Sequence, residues 1–438
     1  MKKKNIIIIG SGISGLLSNH ILKKKYNTFI IERSSDAGGL LGSIKYKKMF
    51  FDYGTHVPFK INHKEIDNIL FGKLKKKKWN IFKRSVKEGI FNFGKLDKTS
   101  GTLDVRLLNK KILKKAQKEF LKIKPKKKFT NLLQRINYEF GTTIKKYIFE
   151  PAIKKISNKN LKDLTPDFLE NFSIERVRLF DGEKTIKLKK IPSYNMKLSY
   201  NKISDRNSPY EKYYFKKGGS INWLKQFINK KDIFLNSSIK NIRIKNKKIL
   251  DVRLSNNKIL KCEKLIWTGP PVSFLHLANK KIKTSKPNFR NLIIVHFEID
   301  KKISHNLQYV TNYDCNFKTY RVTFYSNLRN NFKKKPYNLS CEIITDNENK
   351  DLNDLKNNTF TELVSMKVIP KNSKILNSFI TFKKSTVIVH SPKSYRSFKS
   401  QVSECKKVAN NIILLGRNNF KHALYLNLLD TYNQSVNL

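Results

Sequence analysis

The chain has 438 residues, too many for one ordinary core, and 39% of them are hydrophobic, enough to bury two or three cooperating lobes. Its 91 Lys and Arg against 33 Asp and Glu leave a formal charge of +58, but lysine, asparagine and isoleucine are abundant along the whole length and the lysine runs carry no interleaved aromatics; the excess reads as a solvated surface and not as a nucleic-acid groove. Four cysteines without C-x-x-C or Cys/His spacing point to neither a disulfide framework nor a metal site and suit a reducing, cytoplasmic compartment, and no apolar run reaches the roughly 18 residues of a membrane-spanning helix.

Residues 5–9 form a short, largely β-branched run suited to a parallel strand buried on both faces. A helix is expected from Ser14 to about Lys25, where Ile13, Leu16, Leu17 and Ile21 recur at three- and four-residue steps and Lys23 to Lys25 place cations at the negative end of its dipole. With residues 28–31 as the next strand, this is a β-α-β unit whose parallel strands require a right-handed crossover.

Between the first strand and the helix lies Gly10-Ser11-Gly12-Ile13-Ser14-Gly15. Such glycines permit a tight turn, close approach of a pyrophosphate and close packing of helix on strand, while the first N–H groups of the helix face the phosphates. Glu32, 17 residues beyond Gly15, ends the second strand with a carboxylate able to accept hydrogen bonds from ribose hydroxyls. Arg33 follows it, and Gly38-Gly39-Leu40 then brings a second glycine pair that lets the backbone approach the same ligand again.

Residues 62–200 read as a helix-rich insertion, with leucine, isoleucine and phenylalanine at helical spacing among lysines. Short strands are expected at 239–244, 249–254 and 265–267. Beyond Pro270-Pro271, residues 292–299, 320–325 and 339–344 alternate in polarity, 356–368 is helical and 379–389 returns to strand, a substrate-side sheet layered against helices. Residues 412–415 form a last apolar strand that stops at Gly416.

The order of these motifs resembles a superfamily that joins FAD-dependent oxidoreductases of the amine oxidase and protoporphyrinogen oxidase type with UDP-galactopyranose mutases. Its members share G-x-G-x-x-G, then E-[RK]-x4-GG, then a hydrophobic-D-x-G-x-H segment, here Phe51-Asp52-Tyr53-Gly54-Thr55-His56. The segment Tyr214 to Leu224 with Gly218-Gly219, the strand start at Ile239, Ile266-Trp267-Thr268-Gly269-Pro270, and Leu414-Leu415-Gly416-Arg417 leading to Asn427 are similar to later family motifs. Near the end the chain departs from the pattern: Asn419 replaces a glycine and Asp430 stands one position late.

The resemblance implies an α/β fold. A Rossmann-like (GR2-type) FAD-binding domain would be assembled from 1–61, 210–275 and 385–438, with a discontinuous α+β substrate domain from 62–209 and 276–384. It implies FAD contacts from Gly10, Ser11, Gly12, Ile13, Ser14, Gly15, Glu32, Arg33, Gly38, Gly39, Leu40, Gly54, Thr55, His56, Ile239, Thr268, Gly416, Arg417 and Asn427, with His56 at the flavin face as the candidate catalytic residue.

The resemblance leaves two chemistries open: hydride transfer from a small-molecule substrate such as a ring amine to flavin N5, favoured because the strand-rich stretch 320–343 looks closer to the protoporphyrinogen-oxidase-like oxidoreductases, or isomerisation of a nucleotide sugar on reduced flavin. A flavin-binding protein without catalysis is a third reading. Arg176, Arg178, Arg206, Arg321 and Arg329 align with no clamp arginine and read as solvated surface cations. Peripheral contact with an acidic membrane surface stays open, although no amphipathic anchor helix stands out.

Overall fold

A computed structural model describes residues 3–72, 76–83, 85–123, 128–202, 211–282, 285, 288–331, 335–347, 352–420 and 423–438. The first strand, β1 (Asn5–Ile9), is central in a five-stranded parallel sheet. The helix α1 (Ile13–Leu22) follows, then β2 (Asn27–Ile31), paired with β1 in parallel from Asn5↔Asn27 to Ile9↔Ile31. The sheet runs Ile412–Leu414, Lys264–Trp267, β1, β2, Ile233–Phe234, so pieces from the start, middle and end of the chain share it.

Apolar residues on both sides of β1 explain the burial. Ile6 and Ile8 point into one core with Leu16, Leu17 and Trp223, and Ile7 points into the other with Val252, Leu265 and Phe274; all three isoleucines are fully buried. The helix Leu424–Val436 packs beside α1 on the first face. A three-stranded antiparallel unit, Ile239–Lys245, Lys248–Leu254 and Ile259–Lys261, covers the second together with the helices Pro271–Leu277 and Pro392–Val408.

A seven-stranded sheet makes the other half, in the order Ile375–Val389, Asn288–Ile299, Tyr337–Thr345, Arg321–Phe324, Tyr309–Asn312, Glu88–Asn92, Lys95–Asp97. Its neighbours are antiparallel except Tyr309–Asn312 with Glu88–Asn92. The period of two sorts its side chains cleanly. Ile293, Val295, Phe297, Val322, Leu339 and Cys341 enter an apolar core with the helix Leu352–Ser365. The alternate residues, among them Tyr309, Arg321, Ser340 and Glu342, belong to the opposite face.

Three sequence expectations change. The stretch 62–200 does hold helices, including Lys110–Leu121, Leu132–Phe140 and Glu150–Ser157, but Trp79–Phe82, Glu88–Asn92 and Lys95–Asp97 are strands. Their partners, Lys212–Phe215 for the first and Tyr309–Asn312 for the second, lie more than a hundred residues away, so local periodicity carries no sign of the pairing. The expected boundary after 61 comes early, because Ile66, Leu70, Phe71 and Trp79 pack into the core beneath the parallel sheet. The boundary at 385 falls inside Ile375–Val389, whose ladder with Asn288–Ile299 continues to Val389.

Candidate functional site

The turn after β1 is shaped by three glycines with three different jobs. Gly10 has φ +95°, and a Cβ there would stand 2.3 Å from Thr268 Oγ1. That hydroxyl donates to the Ile9 carbonyl at 2.6 Å, locking the end of Lys264–Trp267 to the turn. A Cβ on Gly15 would meet the Gly10 carbonyl oxygen at 2.0 Å, so helix and strand approach closely only because it is absent. A Cβ on Gly12 would meet nothing within 4 Å: the surface beside it is open. Gly12 caps α1 without a side-chain hydrogen bond, which leaves the N–H groups of the first turn to a ligand.

Glu32 sits beside this opening. Its Oε2 accepts from the Ser11 N–H at 2.8 Å and the Ser11 hydroxyl at 2.7 Å, and Oε1 accepts from the Ser34 N–H at 2.9 Å. Burial works to raise the Glu32 pKa, but these donors outweigh it and hold the carboxyl below its usual value. An ionised carboxylate offers about four lone-pair positions, so acceptor capacity remains for ribose hydroxyls. Arg33 is exposed on the turn that follows.

The second glycine pair is docked on the first turn. The Gly38 N–H donates to the Ser11 carbonyl at 3.0 Å, and a Cβ on Gly39, at φ +56°, would lie 3.3 Å from Gly12 Cα. From the far end of the chain, Gly416 comes within the same neighbourhood, facing Ser14 and Thr268. The Ser14 hydroxyl donates to Asn427 Oδ1 at 2.7 Å, so Asn427 reaches the start of α1 despite the altered spacing of its motif. Ile239 begins the strand next to the Glu32 end, where the Ser237 N–H donates to the Glu32 carbonyl at 2.9 Å.

Two further motifs meet on one buried carboxylate. Asp52 accepts from the Ser43 hydroxyl (2.6 Å), the Tyr214 hydroxyl (2.7 Å) and the Ser220 N–H (2.9 Å). A Cβ on Gly219 would come 2.5 Å from Asp52 Oδ1, which is why Gly218-Gly219 ends in glycine there. Asp52 is thereby a latch between the segment ending at His56 and the segment starting at Tyr214.

Beyond Asp52 the chain turns through Gly54 at φ +125° and presents Thr55 and His56 to the seven-stranded sheet. Glu342 Oε1 accepts from the Thr55 N–H at 3.0 Å, while Arg321 grips Glu342 through Nε and Nη2, each at 2.8 Å. Burial would raise the Glu342 pKa, but the Arg321 guanidinium holds it below the usual carboxylate range. His56 Nε2 is buried without a hydrogen-bond partner. Burial pushes the His56 pKa down, and the Asp52 and Glu342 charges offset this only in part, so the ring is neutral near pH 7.

These groups line a cavity of about 420 Å3 between the two sheets. Leu40, Tyr53, Gly54, His56 and Arg417 form the nucleotide side, and Arg417 has no acidic partner among the described residues. Glu88, Tyr309, Tyr320, Arg321 and Glu342 form the other, with Phe172 and Tyr313 at its edge. Sequence reasoning missed Glu88, Tyr309 and Glu342. Alternating polarity along 320–325 and 339–344 was the available signal, but the hydrophobic period identifies two faces without telling which face meets the glycine turns.

The arginines expected on the surface divide. Arg176 is exposed, whereas Arg178 is fully buried against Asp97 at 2.5 Å and Asp104 at 3.3 Å. Arg329 is buried, donating to the Gly218 carbonyl at 3.0 Å and to the Phe50 carbonyl, and Arg321 is largely covered in its pair with Glu342. Their distant partners explain the correction: burying a guanidinium requires acceptors that only the tertiary fold brings near. Arg206 lies outside the described residues.

Residues 8–70 match the NAD(P)-binding Rossmann-like domain family. No curated protein matches the sequence. Among solved structures, a reduced UDP-galactopyranose mutase superposes with a TM-score of 0.72 at 16% identity, over 100% of this chain and 93% of that one. A putative protoporphyrinogen oxidase from Exiguobacterium sp. 255-15 gives 0.70 at 12% identity, over 100% and 99%. A CLA-producing fatty acid isomerase from P. acnes gives 0.61 at 11% identity, over 100% and 99%. The chain thus carries an NAD(P)-binding Rossmann-like domain at its start and, over its whole length, the fold shared by the mutase and the putative oxidase.

Proposed function

We propose that the protein is an FAD-dependent oxidoreductase acting on a small molecule held between the two sheets. The observation that carries this reading is how the chain joins the glycine turn to the cavity: Gly39 packs on Gly12 while its neighbour Leu40 lines the cavity, and Gly416 faces Ser14 and Thr268 while its neighbour Arg417 lines it. A nicotinamide dinucleotide needs the first turn and the carboxylate. The Gly38-Gly39 pair and Gly416 close to that turn favour the longer flavin dinucleotide.

FAD, when bound, supplies a hydride acceptor at N5. The residues around it bind and orient. The N–H groups opening α1 would hold phosphate, Glu32 would accept from ribose hydroxyls, and Arg417 would supply positive charge on the nucleotide side. Glu342, neutralised by Arg321, fixes the Gly54-Thr55-His56 turn, so that His56 presents an unpartnered ring nitrogen to the cavity. Tyr309, Tyr313, Tyr320 and Phe172 would flank a substrate held in the cavity.

Isomerisation of a nucleotide sugar is the second reading, supported by the likeness to the mutase. It asks for arginines free to clamp a diphosphate. Of the two arginines lining the cavity, Arg321 is already committed to Glu342, which favours the oxidoreductase.

Purified full-length protein is expected to be yellow, or to become so on adding FAD, with a flavin band that bleaches anaerobically on adding a substrate amine. The Glu32→Ala variant should hold FAD more weakly. Protein that takes up NADPH but no flavin would overturn the cofactor assignment, and isomerised UDP-galactopyranose without net reductant consumption would replace the oxidoreductase by the mutase reading.

A further inference from the structure

Lysine covers the whole surface of this chain, so a site is marked by where its charge converges without acid to balance it. One such place is a cleft of about 540 Å3 between the helix Lys110–Leu121 and the helical run that begins at Thr142. Lys111 and Lys115 line it from the first helix and Lys145 and Lys146 from the second, against one acid, Glu150. Lys145 Nζ stands 3.9 Å from Glu150 Oε1, the outer limit of an ion pair, and Lys111, Lys115 and Lys146 form no ion pair among the described residues. Lys111 and Lys115 are one helical turn apart, a spacing at which like charges repel.

Two features of the fold build this convergence. Glu119, the acid of the first helix, is withdrawn from the lysines: it accepts from the Thr143 N–H and the Thr143 hydroxyl, each at 2.8 Å, and from the Thr142 hydroxyl at 3.3 Å. Gly141, at φ +87°, permits that docking, since a Cβ there would stand 2.9 Å from Glu119 Oε2. The second feature is a turn of π-helix, Lys145–Phe149, inside the run from Thr142 to Ser157. Successive residues of an α-helix diverge by about 100° around its axis. The wider π turn rotates less per residue, and Lys145, Lys146 and Tyr147, three in a row, all line the cleft. Such turns are rare and concentrate at functional sites.

The donors say what would fit. Ammonium groups are compact point charges without the planar fork of arginine, which suits the tetrahedral oxygens of phosphate, and several around one cleft suit more than one phosphate. A nucleic-acid strand gains by stacking its bases on a row of aromatics, whereas the aromatic lining this cleft is Tyr147, with Lys146 Nζ 5.5 Å from its ring centre. A bilayer is flat and does not reach a recessed floor such as Thr143, which is buried.

We propose that this cleft binds a soluble small molecule carrying two or more phosphate groups, with Lys111, Lys115, Lys145 and Lys146 taking the phosphate oxygens. It shares no lining residue with the cavity between the two sheets, and the proposal is independent of the flavin reading.

The test is calorimetric titration of the full-length protein with inorganic tripolyphosphate at about 0.15 M salt, where distant surface charges are screened. One saturable site is expected, with inorganic phosphate at least about tenfold weaker. The triple variant Lys111→Gln, Lys115→Gln, Lys146→Gln should lose at least about tenfold in affinity for tripolyphosphate, whereas Lys23→Gln, Lys24→Gln, Lys25→Gln, which removes the same charge elsewhere, should stay within about twofold of the parent. Without the probe the first variant should unfold at or above the parent's midpoint, because like charges have been removed; tripolyphosphate should raise the parent's midpoint and not the variant's.

Absence of binding, a titration that does not saturate, inorganic phosphate binding as tightly as tripolyphosphate, or equal losses from the two lysine sets would each overturn the proposal. So would phosphatidylglycerol vesicles or single-stranded RNA held through Lys111, Lys115 and Lys146 and not displaced by tripolyphosphate.

Discussion

The two sheets offer different surfaces. Beside the parallel sheet the open surface is mostly backbone: the α1 N–H groups, the bare Cα of Gly12 and the docked Gly38-Gly39 turn, with Glu32 as its one strongly placed side chain. The seven-stranded sheet offers side chains to the cavity: Glu88, Tyr309, Tyr320, Arg321 and Glu342. A backbone site fits any dinucleotide of the right shape and is encoded by the residues that must be small. A side-chain site can be rewritten residue by residue on an unchanged ladder, so cofactor and substrate specificity are separable here.

The sharpest way to break that contrast is to unbalance the side-chain wall. Glu342→Ala strands Arg321 and is expected to cost about 3 to 5 kcal/mol in urea unfolding, whereas Arg321→Met with Glu342→Leu should return to within about 2 kcal/mol of the parent. A double variant as unstable as the single one would mean that the pair holds the fold and not the His56 turn.

Acid is next in size and acts on the same sheet. His296, between Ser340 and Thr381, is pushed by burial to about 3, and His305 to about 4. Unfolded imidazoles titrate near about 6.5, so between those values the unfolded chain binds more protons. Stability is then complete above the unfolded value and is lost as pH falls towards the folded values, by something on the order of 3 kcal/mol at about pH 4 from His296 alone. The His296→Gln variant should flatten this acid limb in denaturation midpoints; an unchanged limb would assign it to other groups.

The backbone wall makes smaller and more selective predictions. Gly15→Ala forces a Cβ against the Gly10 carbonyl and should cost about 1 to 3 kcal/mol, with loss of bound flavin. Gly12→Ala, with open space around its Cβ, should change apoprotein stability by less than about 0.5 kcal/mol yet weaken FAD in a fluorescence titration. If Gly12→Ala binds FAD like the parent, the phosphates do not pass over Gly12.

What the chain announces by itself is the part built from local chemistry. Asn5–Ile9 is apolar on every residue but its first and is buried on both sides, the three glycines stand where strand must become helix, and Glu32 is two residues from one of its own donors, Ser34. Asn427 belongs to a motif whose spacing departs from the family pattern, yet it lies at Ser14, because the helix Leu424–Val436 packs along α1.

The opposite wall had to await tertiary structure. Glu342, Arg321, Thr55 and His56 are separated by up to 287 residues, and whether a strand's polar alternates face solvent or a cofactor depends on which domain closes over them. Local sequence decides where backbone must be bare or bent, since that is a matter of sterics within a few residues. The fold decides which buried charges find partners, since that depends on what arrives from far along the chain.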